Sequence, residues 1–526
     1  MTLDQRYWIL DLVLLATLAA ALRFHGLGAL SFTRQEAETA LAAESRLPEG
    51  RFAVSPRETG SKGLLHRWMV AESFRRFGRS EWWARFPAAV CGVLGAGWVY
   101  LWGSHWFGSW SGRWAAFLFA VWPWSVGWGR AALSWGFTQF LYLLAVAAFW
   151  RWMENNSLGR PMMEPPTVAG RRPRTVVLIG RGLPSFFFLA LLLLAYPSPL
   201  PVLAFVPVYL LFRLFWAFRR GGTTDYEFVR SRTLASASVI LFAALAGTWA
   251  GFGLGSFPES GTGLDSTSSS RDFIGALDLA GGIAACGVGA GVFMAFGRGR
   301  PGRLVVSAAL GPFLAAGLIP PEDLPLALCL AFPFLALCAG LPIGWAMDRL
   351  EKALRRLFLP ARAPKLKTTL AGVVLALAAV SVVRQVLLAD NGSAAVVRGN
   401  VQAMGGRVAD WRGMADWLAA YLDSSKIITT DPVLCAYYLG KADAVYPGFE
   451  NAISPAVAPP QLPNASAVLE QLEVWKEVLI LGARRDFENA ARDPDRARLW
   501  DILLAGNAEI WTGSNETAIR WVSGNP

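Results

Sequence analysis

Between Ser31 and Leu47 the chain reads SFTRQEAETALAAESRL. Three carboxylates, Glu36, Glu38 and Glu44, stand among Arg34 and Arg46, with alanines at helical spacing between them. Two more guanidinium groups, Arg85 and Arg130, lie at the ends of apolar runs further on. A carboxylate can take a proton or steady positive charge developing in a reaction, and guanidinium offers fork-shaped donors to phosphate oxygens. Two plainer readings carry equal weight at this point: a solvated amphipathic helix for the glutamate stretch, and for Arg85 an interfacial anchor that snorkels toward headgroups. Glutamates turned into a cleft between membrane spans are costly and usually functional, so the membrane geography decides.

That geography comes from composition. The 526 residues are 54% hydrophobic and 17% charged, with a mean hydropathy of +0.38, which predicts a polytopic α-helical membrane protein. About eleven apolar runs come near the roughly 20 residues that cross about 30 Å of hydrocarbon. They are Tyr7 to Leu22, Arg85 to Phe107, Trp114 to Val126, Ala131 to Trp150, Val176 to Ala195, Leu200 to Phe218, Leu234 to Leu254, Ala276 to Phe296, Leu304 to Ile319, Leu324 to Ala346 and Thr369 to Leu388. With the amino terminus in the cytoplasm, the loops RWMENNSLGRPMMEPPTVAGRRPR, RRGGTTDYEFVRSR, GRGRPGR and DRLEKALRRLFLPARAPKLK fall inside. Their opposites, YPSPLP, SFPESGTGLDSTSSSRD and PPED, carry almost no Lys or Arg. This alternation is the positive-inside pattern. It makes the net charge of +11 a topology signal and argues against nucleic-acid binding, which needs one contiguous basic face.

Two regions remain outside the bilayer. Residues 1–388 form the expected transmembrane domain, including an external loop over 24–82, and residues 389–526 an extracytoplasmic α/β domain. In the tail, Ala409 to Leu422 has helical spacing, while KIITTD and EVLILG read as strands. Asp431, before Pro432, reads as a turn former, and ISPAVAPPQLP as a surface loop. The first span has only Arg6 before it and Asp11 within it, unlike a signal peptide, so an uncleaved helix is expected. Cys91, Cys286, Cys329 and Cys338 lie in spans and Cys435 in the tail, which builds no disulfide framework or metal motif. The tail contains no Walker A motif and no GxGxxG after a strand.

The run FGRSEWWARFPAAVCGVLGAGWVYLWGSHWFGSWSGRWAAFLFAVWPWSVGWGRAALSWGFTQFLYLLAVAAFW, Phe77 to Trp150, resembles the GT-C membrane glycosyltransferases, and within them the group of protein O-mannosyltransferases and lipid A aminoarabinose transferases. The matching features are Phe-Gly before the Arg-Phe-Pro-Ala entry to the second span, Phe-Gly after it, and Trp-Pro followed by Arg130. The resemblance implies an integral-membrane enzyme that moves a sugar from a polyprenyl-phosphate donor to a lipid, glycan or protein acceptor on the extracytoplasmic face of the cell membrane, in a bacterium the inner membrane. It implies that Arg130 and Arg85 bind the donor phosphate and that a carboxylate after the first span acts in transfer. The family's usual Asp-Glu pair reads Gln35-Glu36 here, and an amide accepts no proton at neutral pH. Glu36 is then the expected catalytic carboxylate. Glu38 is a weaker candidate because it points about 200° away around a helix, and Arg34 is another; Lys62 and His66 are weak candidates too, since the family's His-Pro-Pro run is absent from TGSKGLLHRW. No metal ligand set is assigned, and a divalent metal stays open. A catalytically silent GT-C-like partner subunit is the alternative, and a transporter or flippase a more distant one, since internal repeats and mid-membrane charges are not evident.

Overall fold

The computed structural model describes residues 3–47, 63–155, 199–219, 288–316, 324–358, 410–429, 431–445, 462, 465–475, 477–483, 509–512 and 516–522. The amino-terminal part is a run of helices: α1 (Leu3–Phe24), α2 (Arg34–Glu44), α3 (Leu64–Phe77), α4 (Glu81–Phe107), α5 (Ser109–Val121), α6 (Pro123–Arg130) and α7 (Ser134–Asn155). There follow α8 (Pro199–Leu203), α9 (Phe205–Arg219), α10 (Val288–Gly297), α11 (Arg300–Ala316) and α12 (Leu324–Phe358).

Local sequence sets several of these boundaries. Thr33 caps α2 in a reciprocal box: its hydroxyl accepts from the Glu36 amide while the Glu36 carboxylate accepts from the Thr33 amide. Ser80 caps α4 by accepting from Trp83 N. Pro87 sits inside α4 without an amide to offer the Trp83 carbonyl one turn back. Ser73 of α3 donates its hydroxyl to that carbonyl at 2.8 Å instead, which ties α3 to α4. Trp122 is extended before Pro123 and ends α5, and α6 meets α7 at an angle of 111°.

One apolar core runs through this bundle. It holds Tyr100 of α4, Phe119 of α5, Tyr142 of α7, Phe205 of α9, Val305 of α11 and Phe334 of α12, all buried. Two described helical segments, Glu81–Phe107 and Cys329–Lys352, are long and apolar enough to cross a membrane, or up to three if the bent pair α6 and α7 is one span. The expected eleven is therefore larger than the described helices support. The runs at 176–195, 234–254 and 369–388 lie outside the described residues, as do Lys62 and Cys286.

The tail contributes α13 (Trp411–Leu418), β1 (Lys426–Thr429), α14 (Pro432–Leu439), β2 (Ala444–Val445), α15 (Ala465–Val474), β3 (Glu477–Ala483), β4 (Glu509–Thr512) and β5 (Glu516–Val522). The five strands form one mixed sheet in the order β2-β1-β3-β5-β4, parallel across β2, β1 and β3 and antiparallel beyond. Asp431 accepts from Leu434 N and caps α14. On one face of the sheet α15 covers Ile428, Val478, Ile480 and Ile519. The opposite face faces a second core, where Leu479 and Ala518 join Met414 and Leu434 of the tail helices with Phe32, Leu41, Val70 and Phe74 of the loop after α1. The segment after α1 and the tail thus share one core.

Candidate active site

α1 ends at Phe24, and the chain turns through residues 25–33 before α2 begins. The carbonyls of this turn are held by two arginines from distant helices. Arg130 Nη1 donates to the carbonyls of Leu22, Arg23 and His25, the last at 2.6 Å, and its Nη2 donates to that of Gly26 at 3.1 Å. Arg85 Nη1 donates to Leu27 and Leu30, at 3.0 and 2.8 Å, and Nη2 to Ser31 at 3.0 Å. The remaining Arg85 hydrogens meet Glu36 side-on, Nε to Oε1 at 2.8 Å and Nη2 to Oε2 at 2.9 Å. All five Arg85 donors are thereby occupied.

Glu36 is equally enclosed. Besides Arg85 it accepts from Thr33 N on Oε2 and from Ala132 N on Oε1, at 3.0 and 2.8 Å. Four donors fill its four lone-pair positions, and the residue is 3% exposed. Burial alone raises its carboxyl, but the Arg85 charge and the hydrogen bonds outweigh this and hold it below the ordinary carboxylate value. A carboxylate so placed anchors the start of α2; to accept a proton it has to give up one of these bonds.

Of the residues predicted from sequence, the structure brings together Glu36, Arg85 and Arg130. Arg130 ends α6, is buried, and caps the carboxyl end of α1. Glu38 faces away from this cluster and is half-exposed, with Arg34 Nε 3.4 Å from its Oε1. Partial burial raises its carboxyl, opposed by Arg34 and supported by the nearby charge of Asp431. Asp431 is raised in the same way, by burial against the pull of Arg34. His66 is buried, its Nε2 has no hydrogen-bond partner among the described residues, and burial with neighbouring Arg67 lowers its imidazole to about 4. It is neutral at physiological pH. Among the described residues no three His, Cys, Asp or Glu side chains gather as a metal group.

One guanidinium escaped the sequence reading. Arg23, in the last turn of α1, is fully buried. It donates to the carbonyls of Ala19, Phe119, Ala120 and Ser125 and, at 2.8 Å, to Ser125 Oγ. Phe119 and Ala120 lie in the last turn of α5, where the partial negative charge of the helix end favours a cation. A Cβ at Gly92 would sit 2.5 Å from Arg23 Nε and one at Gly129 2.9 Å, so two bare glycines make the space. That pairing is the sequence signal, visible only once the helices are packed.

The helical scaffold with its small sheet has the fold of the GT-C membrane glycosyltransferases. Residues 61–160 match the family model described as dolichyl-phosphate-mannose-protein mannosyltransferase. Over the whole chain the structure is similar to ArnT from Cupriavidus metallidurans in the apo state, with a TM-score of 0.56 at 16% identity, covering 99% of this chain and 100% of that one. The same protein bound to undecaprenyl phosphate gives 0.54 at 15% identity over 98% and 99% of the two chains. The archaeal oligosaccharyltransferase AglB from Archaeoglobus fulgidus, in complex with an inhibitory peptide and a dolichol-phosphate, gives 0.53 at 11% identity, covering all of this chain and 75% of that one. No curated protein matches this chain by sequence. The GT-C resemblance read from Phe77 to Trp150 lies within the matched residues.

Proposed function

We propose that this protein transfers a sugar from a polyprenyl-phosphate donor to an acceptor on the extracytoplasmic face of the membrane. The observation that carries the reading is the convergence of Glu36, Arg85 and Arg130 on the one turn that joins α1 to α2. Undecaprenyl phosphate and dolichol-phosphate are the lipids held by the two similar structures, and the phosphate of such a lipid suits the buried arginines Arg23, Arg85 and Arg130 near the carboxyl end of α1. Among the described residues Arg23, Arg85 and Arg130 gather there with the carboxylates of Glu36 and, one turn from Arg85 on α4, Glu81. Arg85 and Arg130 act on the donor phosphate through this field, with their hydrogen bonds already directed at the turn. The loop after α1 and the tail then lie outside the cell, and the acceptor, whether lipid, glycan or protein, meets the sugar at α2.

Within this reading Glu36 works by position. The proton acceptor is Glu38, which lies three residues after Gln35, on the same face of α2 and one turn along. It presents a half-exposed carboxylate close to where the family's aspartate would stand. Purified protein in liposomes, given labelled polyprenyl-phosphate sugars, tests both statements. Transfer is expected from the wild type and falls at least about 100-fold in Glu38→Gln, the range of one general base, while Gln35→Asp raises it. Unchanged transfer in Glu38→Gln removes Glu38 from the chemistry.

Gln35 favours a second reading, a GT-C-like subunit without catalysis. Absence of transfer from every donor by both the wild type and Gln35→Asp, with another membrane protein tightly copurified, supports that reading over the first.

A further inference from the structure

We infer that Tyr438 and Arg412, from the tail, are positioning residues for the site at the start of α2, so that the extracytoplasmic domain completes the site and does more than cover it. Tyr438 Oη accepts from Phe32 N at 2.7 Å and donates to Glu81 Oε1 at 3.0 Å. Arg412 forms an ion pair with the same Glu81 oxygen, Nη2 at 2.7 Å, and donates from Nη2 to the Gly28 carbonyl at 2.9 Å. Its backbone amide donates to Ser31 Oγ at 3.2 Å.

Three features tie these contacts to the site. Phe32 and Thr33 are consecutive, and their amides are taken by Tyr438 and by the Glu36 carboxylate respectively. Ser31 is held at both ends, its carbonyl by Arg85 and its hydroxyl by Arg412. Glu81 stands four residues before Arg85 on α4, one turn apart on one face, so a single helical turn offers its carboxylate to the tail and its guanidinium to the loop. Phe32 is packed between the two sides, with Tyr437 edge-on at 4.8 Å and the Arg85 guanidinium 5.2 Å from its ring. The entry to α2 is therefore set jointly by α4 and the tail. A shift there moves Gln35, Glu36 and Glu38 together, and displacements of about 1 Å cost up to about 100-fold in rate.

This rests on the proposed transfer at α2, and the test separates the two. Tyr438→Phe removes one oxygen and keeps the ring. Arg412→Lys keeps the charge facing Glu81 and loses the Nη2 donor to the Gly28 carbonyl. For full-length protein in nanodiscs, amide exchange at residues 31–36 is read with kcat and with KM for the lipid donor. Tyr438→Phe is expected to speed exchange at Phe32 and Thr33 and to lower kcat about tenfold, the factor of one net hydrogen bond, with KM and the unfolding midpoint nearly unchanged. Arg412→Lys is expected to fall between wild type and Arg412→Ala. Exchange at wild-type rates overturns the inference, as does faster exchange with wild-type kcat. Absence of transfer by the wild type overturns the enzymatic reading alone, and the exchange result still decides whether the tail sets the turn.

Discussion

Replacing Glu36 by Gln separates an anchor from a base. The amide keeps one acceptor oxygen and turns the other into a donor, so the NH2 faces donors where Oε1 or Oε2 stood. In either orientation one Arg85 N–H and one backbone N–H, from Thr33 or Ala132, lose their acceptor. The guanidinium also loses its carboxylate in a setting where both groups are almost wholly buried. Removing one member of a buried ion pair costs about 3–5 kcal/mol, and an unmet buried donor about 1–3 kcal/mol; the second is part of the first, so about 3–5 kcal/mol is the expected loss. Removing the charge at both ends, in Glu36→Gln with Arg85→Gln, leaves no orphan ion, and the double variant is expected to be more stable than the sum of the singles by about 1–3 kcal/mol. Thermal unfolding of the four proteins in one detergent, with transfer measured on each, gives the cycle. If Glu36 anchors, activity in Glu36→Gln falls with stability, and the double variant regains part of the stability but not the transfer, because Arg85 is missing. A Glu36→Gln protein of wild-type stability without activity refutes the anchor and returns the proton to Glu36.

Two further outcomes follow from the same geometry. Transfer should fall on acidification before the fold does: Glu38 is raised above the ordinary carboxylate value and must be ionised to accept a proton, whereas Glu36 is lowered. The stability from Glu36 is complete above the ordinary value and lost only as pH falls through the lower folded one, so activity and unfolding measured against pH should show a folded, inactive window, and the small residual transfer of Glu38→Gln should lack this acid-side fall. In α4, Gly92→Ala places a methyl 2.5 Å from Arg23 Nε, on a guanidinium fixed by five bonds, and overpacking of about 1–3 kcal/mol exceeds the ~1 kcal/mol gained in helix propensity. Gly97→Ala, whose Cβ meets only the Leu12 side chain at 3.3 Å, is the control, and the two unfolding midpoints should move in opposite directions.

What the sequence discloses and what it conceals divide along the distance between partners. The strands at Lys426 and Glu477 are local, and the structure contains both; Asp431, read as a turn former, caps α14 at that turn. Arg85 and Arg130 are conspicuous because a cation at the end of an apolar run calls for a reason. Their partners are not legible, since they lie 49 to 108 positions away and are mostly carbonyls, which every residue has. Arg23 was overlooked on the same ground: it reads as the polar end of a span, and only packing shows it sealed against α5 and α6. Tyr438 and Arg412 reach the turn across 381 to 406 residues, a relation with no trace in spacing or periodicity.

The position of Gln35 carries the same lesson into the chemistry. Read along the chain, an amide in place of the family's aspartate removes the base. Read around a helix, Glu38 follows at the next turn of the same face, and the clamp of Arg85, Arg130 and Glu36 behind it fixes the first turn that carries both. A rigid anchor and a movable carboxylate have opposing electrostatic needs. The anchor needs low exposure, full hydrogen bonding and a depressed carboxyl, whereas a proton acceptor needs access and a raised one. Glu36 and Glu38, two residues apart on an eleven-residue helix, meet those needs separately. Under the proposed function, Gln at position 35 is therefore compatible with transfer, and the liposome assay on Glu38→Gln bears on function more directly than any change at Glu36.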